Sequence, residues 1–173
     1  TAEAVAEKYN ISREDADKFS YESHKKAGKA IDSAVFKNQI VPINVNEIFV
    51  ENGLRTTTTN LVDTDEGVRR DTTLEGLAKL NPVFKKGGII TAGNASQTSD
   101  GAAFTLVVSE KIVKELNLEP IARLVSCAVG GVDPLYMGIG PCVAIPKALN
   151  QAGSKIKDIE QTELNEAFAT QAL

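Results

Sequence analysis

AAFTLVVS (Ala102–Ser109), then EKIVKELN (Glu110–Asn117), then IARLVSCAV (Ile121–Val129) is the stretch on which the fold turns. An apolar run without polar alternation reads as a strand buried on both faces, and there are two such runs. The segment between them carries Ile112, Val113 and Leu116 at helical spacing, so it reads as a helix with one inward face. After Val129, Gly130, Gly131, Asp133 and Pro134 make a loop. Pro141 stands in the first turn of a further helix, which Gly153 stops. Ile159–Leu164 reads as a third strand running into Asn165 and a final helix. Strand alternating with helix in this way is the pattern of an α/β layered fold.

Upstream of Asp100 the composition changes and the alternation stops. Thr1 to Tyr9 is Ala-rich and helical. Ser12 is a good N-cap, with Asp15 three residues on as a short capping box. Ala16, Phe19, Ser23, Ala27 and Ile31 then follow at helical spacing, so that stripe is expected to face inward. Gln39–Val45 reads as a strand with Pro42 at an edge position. Ile48–Val50 continues an extended path to a turn at Glu51-Asn52-Gly53. Leu54–Thr73 reads as polar loop, and Thr73–Leu80 as a short helix ended by Asn81-Pro82. The first half thus reads as an irregular insertion with short helices.

Composition bounds the function. Of 173 residues, 42% are hydrophobic, enough for a core in one domain or two small ones. The formal net charge of −4 offers no electrostatic footprint for nucleic acid or anionic lipid. Aromatic residues make up 5% with no Trp, which argues against a base-stacking platform. Cys127 and Cys142 lack CxxC spacing and read as reduced thiols, and one His with two Cys makes no structural zinc site. No secretory signal opens the chain, and the missing initiator Met suggests that Thr1 is not the natural start. Leu124–Pro146 is interrupted by Asp133, Pro134 and Pro141 and does not read as a membrane span.

Several positions invite chemistry, each with a plainer reading beside it. His24, the single histidine, lies among Glu22, Lys25 and Lys26 and reads as a solvated surface residue. Asp63, Asp65, Glu66 and Gly67 hint at a calcium loop, but the glycine falls one place early and no Glu closes the spacing. Arg69 and Arg70 on that loop either face a phosphate or are simply solvated. Gly138-Ile139-Gly140 before a helix is either an anion cradle or a structural loop, and Pro141 removes one N–H donor. Cys142 at a helix start is the better nucleophile candidate of the two thiols, although packing is the favoured role for both. Thr91-Ala92-Gly93-Asn94-Ala95-Ser96 is a small-residue loop that a ligand can approach closely. Asn165 is either an ordinary N-cap or a donor to a developing oxyanion.

The series of blocks resembles the thiolase family. Asn165-Glu166-Ala167-Phe168 is similar to its NEAF signature, and Thr91–Ser96 with Ser99-Asp100-Gly101-Ala102-Ala103 to its TAGNAS…DGAA block. Gly131-Val132-Asp133-Pro134, Met137-Gly138-Ile139-Gly140-Pro141, Asp65-Glu66-Gly67-Val68-Arg69 and Ile40-Val41-Pro42 also fit, in order, over essentially the whole chain. The resemblance implies a layered αβαβα protein of two similar halves. Residues 1–99 would then be most of an inserted loop region, with coenzyme A contacts and a role in oligomerisation. Residues 100–120 would be the strand and helix closing the first half, and 121–173 the beginning of the second.

The implied activity is acyl transfer: thiolytic cleavage of a 3-ketoacyl-CoA to acetyl-CoA and a shortened acyl-CoA, or the reverse Claisen condensation. It proceeds through a cysteine that takes up the acyl group. By resemblance, Asn165 holds an oxyanion-hole water, Ser96 meets the pantetheine arm, and Ala92, Phe84 and Phe168 line the acyl–pantetheine tunnel. Arg69 lies beside the nucleotide end. No cofactor or metal is implied beyond coenzyme A thioesters as substrates. The expected partners are acyl-CoA or coenzyme A and further copies of the full-length protein, as homodimer or homotetramer. Neither nucleic acid nor a membrane span is expected. The expected location is cytoplasmic, or an organelle matrix if a targeting peptide precedes the chain. The family's nucleophilic cysteine belongs upstream of Thr1, and its catalytic histidine and second cysteine downstream of Leu173. These residues alone are therefore expected to be an inactive and poorly stable fragment with open strand edges. A non-catalytic thiolase-like protein binding acyl-CoA or lipid is the alternative reading.

Overall fold

Local capping decides where the first helices start. In the computed structural model, which describes residues 1–173, α1 spans Ala2–Tyr9 and α2 spans Arg13–Asp32. Asn10 between them takes the left-handed conformation at φ 55°, which asparagine tolerates better than most residues. Ser12 caps α2 as expected: its hydroxyl accepts from the Asp15 N–H at 3.0 Å. α3, Leu74–Ala78, is capped likewise by Thr73, which accepts from Gly76 N–H.

The inward face of α2 is rotated by about one residue from the expected stripe. The buried positions are Ala16, Asp17, Ser20 and Gly28, while Phe19, Ser23, Ala27 and Ile31 are only half-buried. The buried line advances by fours through Ala16, Ser20 and Gly28, and places His24 on the same side. Hydrophobicity pointed the wrong way because the polar members of this face are satisfied internally. The Ser20 hydroxyl, for instance, donates to Ala16 C=O at 3.0 Å.

Ile43–Glu51 (β1) and Leu54–Val62 (β2) form a two-stranded antiparallel ribbon, with Ile43 opposite Val62 and Glu51 opposite Leu54. The reading of Leu54–Thr73 as loop is therefore corrected for its first nine residues. Thr56–Thr59 is a β-branched run, and Asn52 at φ 52° with Gly53 at φ 80° supplies the tight hairpin turn. Pro42 precedes the ladder, where its missing N–H costs nothing.

The second half keeps its helices and lacks its ladders. α4 is Glu110–Glu115 and α5 is Gly140–Ala152, the latter closed by Gly153 at φ 66°. A 3-10 turn, Pro134–Ile139, leads into α5, and α6 is Ala169–Ala172. Ala102–Ser109, Ile121–Val129 and Ile159–Leu164, expected as strands, make no ladder hydrogen bonds here. Their side chains face solvent: Phe104 is 95% exposed and Ile121 105%. α4 has no fully buried residue: of its expected inward face, Ile112 and Val113 are half-buried and Leu116 is exposed.

The core accordingly sits to one side. Thirteen of 173 residues are buried, among them Val5, Ala6, Ala16, Leu77, Ile90 and Ala169. Total accessible surface is 13978 Å². A compact monomer of 18.5 kDa exposes roughly 8,200 Å². The excess includes uncovered apolar surface of both the second half and the β1–β2 ribbon, where Ile43 is 63% and Leu54 72% exposed. No helix is long and apolar enough to cross a membrane.

Candidate functional site

The glycine-containing loop 91–96 and the block 165–168 are brought together by backbone pairing. Ala95 forms an antiparallel bridge with Phe168. Ser96 N–H donates to Ala167 C=O at 2.9 Å, and Ala169 N–H to Asn94 C=O at 3.0 Å. This pairing places Ser96 beside the segment that carries Asn165, although 69 positions of sequence separate them. Asn165 is exposed and caps no helix: α6 starts four residues later, with Phe168 at its N-cap position. The plain N-cap reading of Asn165 is thereby overturned.

Asn165 lines a cleft of about 520 Å³ together with Phe168, Met137, Gly138, Pro141 and the Thr1 end of α1. Phe84 meets Phe168 edge-on, with ring centroids 6.2 Å apart at 72°. Ala92 and Ser96 lie exposed on the loop, and the Ser96 hydroxyl reaches only Gln97 C=O at 3.4 Å. Of the six expected site residues, Ser96, Ala92, Phe84, Phe168 and Asn165 thus gather around the Ala95–Phe168 seam.

Arg69 stands on a separate loop that crosses α2. Val68 and Arg70 pass over Gly28, where an added Cβ would stand 3.9 Å from each, in ordinary contact. Arg70 is occupied by Asp32, at 2.8 and 2.9 Å to the two carboxylate oxygens. The Arg69 side chain is exposed and makes no ion pair. Gly138 and Ile139 end a turn of 3-10 helix and Gly140 begins α5, and Cys127 and Cys142 are exposed free thiols.

His24 is not the solvated residue the sequence suggested. Its Nδ1 accepts from Arg69 N–H at 3.3 Å, which puts the ring proton on Nε2. Partial burial holds its pKa below the usual 6.5; the Arg69 charge adds to the depression and Glu166 opposes it. The neighbouring Ser23 hydroxyl donates to Glu166 at 2.6 Å. One turn of α2 therefore touches both the Arg69 loop and the residue next to Asn165. Ser23, His24 and Glu166 were missed because their meeting depends on a contact 143 positions apart; the i,i+4 line from Ser20 was the available hint.

Comparison with known proteins places this arrangement. Residues 1–111 match the model of the thiolase N-terminal domain, and residues 118–173 that of the thiolase C-terminal domain. The chain is 47% identical to a 3-ketoacyl-CoA thiolase of Bacillus subtilis, covering all of this chain and 44% of the relative. It is 50% identical to the peroxisomal 3-ketoacyl-CoA thiolase B of Rattus norvegicus, covering all of this chain and 40% of that protein. Among solved structures, acetyl-CoA acetyltransferase of Bacillus anthracis superposes with a TM-score of 0.87 at 44% identity, over 99% of this chain and 41% of the other. Human mitochondrial 3-ketoacyl-CoA thiolase in complex with CoA gives a TM-score of 0.86 at 43% identity, over 99% and 40%. The chain thus spans less than half the length of these relatives and shares the α/β fold of the structures it matches.

Proposed function

The chain belongs to the thiolase family, an enzyme family of acyltransferases, and from that premise we propose that the full-length protein cleaves 3-ketoacyl-CoA thiolytically in fatty-acid breakdown. The blocks DEGVRR (65–70) and GNASQTSDGAA (93–103) favour this degradative direction over acetoacetyl-CoA formation. The observation that carries the reading is the Ala95–Phe168 seam, which sets Ser96 beside the segment whose Asn165 lines the cleft.

In this reading Asn165 holds, through its amide, a water that donates to the oxyanion of the thioester enolate. Such a donor lowers the barrier because charge develops only in the transition state. Ser96 offers its hydroxyl to the amides of the pantetheine arm. Ala92, Phe84 and Phe168 wall the passage for the arm and acyl chain: a small residue on one side leaves room, and the edge-on phenyl pair supplies an apolar face. Arg69 extends from its loop toward the nucleotide phosphates, for which its planar fork is suited. Residues 1–99 serve as the coenzyme A-contacting and oligomerising insertion, 100–120 close the first half, and 121–173 begin the second. Assembly is as a homodimer or homotetramer, in the cytoplasm or an organelle matrix, with no cofactor beyond the thioester substrates.

Full-length protein mixed with coenzyme A and a long-chain 3-ketoacyl-CoA is expected to release acetyl-CoA. The same residues 1–173 alone are expected to release none. Turnover confined to acetoacetyl-CoA would move the protein to the biosynthetic branch. Binding of acyl-CoA without turnover by the full-length protein would instead support a non-catalytic carrier.

A further inference from the structure

We infer that Asp17, with Arg13 and Asn94, is a positioning device that fixes the spacing between the Ser96 loop and the Asn165 segment. The inference rests on the functional reading above and names residues on which that reading does not draw.

Asp17 lies in the second turn of α2 and is 4% exposed. One carboxylate oxygen takes Arg13 Nε at 2.7 Å, and the other takes Asn94 Nδ2 at 3.0 Å. The Arg13 Nη2 continues to the carbonyls of Leu77 and Leu80, at 2.6 and 3.1 Å, at the end of α3. Asn94 is 2% exposed and fully engaged. Its second amide hydrogen goes to Ile89 C=O at 2.9 Å, and its side-chain oxygen accepts from Thr91 N–H at 2.8 Å. Only a primary amide can supply two donors and an acceptor in this arrangement. From Asn94 the bonding passes directly to the seam: its carbonyl holds Ala169 N–H, Ala95 bridges Phe168, and Ser96 N–H holds Ala167.

A series of hydrogen bonds therefore runs from one carboxylate on α2 through Asn94 to residues 167–169, which follow Asn165 and pair with the Ser96 loop. Neither Arg13, Asp17 nor Asn94 lines that cleft, so none touches substrate there. A largely buried ion pair adds little net stability over a hydrophobic replacement, and the role assigned to this one is to fix geometry. Here the geometry fixed is the turn conformation of residues 91–94, with Ser96 two residues beyond it. Catalysis depends steeply on such placement.

The test uses the full-length protein with Asp17→Ala, Asp17→Asn and, as a control outside the network, Ala6→Gly. Thermal melts find a temperature at which each variant is folded, and kcat and KM for thiolysis of a long-chain 3-ketoacyl-CoA are measured there per folded molecule. Asp17→Ala is expected to lose about tenfold or more in kcat/KM, with kcat falling and KM rising, since the Ser96 loop and the Asn165 segment both shift. Asp17→Asn keeps one acceptor oxygen for two donors, so it is expected to lose less. Ala6→Gly is expected to lower the melting temperature with kcat/KM unchanged. Where Asp17→Ala does not fold, Asp17→Asn against Ala6→Gly decides. An active wild type whose Asp17 variants match Ala6→Gly in kcat/KM per folded molecule overturns the inference alone. A wild type without thiolysis overturns the functional reading and the inference with it.

Discussion

Two regions of one chain meet their hydrogen-bonding and burial needs very differently. Residues 1–32, 73–96 and 167–173 close upon each other. Glu3 accepts from the Ile89 and Ile90 N–H groups, Asp17 binds Arg13 and Asn94, and Ile90 is wholly buried. Residues 102–109 and 121–129 are more apolar, yet Leu106 is 83% exposed and Val129 85%. The difference teaches that hydrophobicity alone does not fold a segment. A helix or a hairpin meets its backbone needs locally, whereas a central strand needs two neighbours that local sequence does not supply. In the family's layered fold those neighbours are strands of the same sheets. The uncovered faces of this chain are therefore the places where the rest of the full-length protein is expected to pack.

The largest contrast is expected in amide hydrogen exchange. In residues 1–173 alone, the amides of Ala102–Ser109 and Ile121–Val129 should exchange at close to unprotected rates, faster than those of Ile90, Ala95 and Ala169. In the full-length protein the two groups should converge, with protection gained by roughly three orders of magnitude or more in the strands. Strong protection of Phe104 to Val107 in the isolated chain would break the comparison. Next in size are truncations on either side. Ile90→Ala should cost about 2–5 kcal/mol in a denaturant titration of the full-length protein, because the side chain is fully enclosed. Ile121→Ala should stay within about 0.5 kcal/mol in the isolated chain and become costly in the full-length protein.

The smallest effect concerns His24. Its pKa in the folded chain is lowered, so the unfolded chain binds more protons around pH 6. Stability from this group is then fully present above the unfolded value and is lost as pH falls through it toward the lower folded value. The Arg69 N–H contact is lost with it, since a protonated ring has no acceptor. Melting temperatures should therefore drop modestly on acidification through that window, and His24→Gln should flatten the dependence. Melting that improves on acidification there would contradict the assignment.

Much of this was legible in the sequence. The Ser12 cap, the Asn52-Gly53 turn and the Gly153 stop each depend on a few adjacent residues, and each sits where it was expected. The motif blocks named the family, and the family's fold is what the matched structures share. What stayed hidden was of another kind. The Thr56–Thr59 run pairs only because β1 lies opposite, and the polar face of α2 is inward only because Asn94, Arg69 and Glu166 arrive from far along the chain. Asn165 looked like a cap because strand-to-helix junctions usually have one. The bridge at Phe168 delays the helix and leaves the amide in the cleft.

The most direct test of the account is thiolysis by the full-length protein with Asn165→Ala beside the wild type. An oxyanion-hole water held by this amide predicts a fall in kcat of about 10²–10³-fold with KM little changed, since the interaction exists in the transition state. A variant with wild-type kcat would contradict the placement of the reaction at the seam between the Ser96 loop and the Asn165 segment.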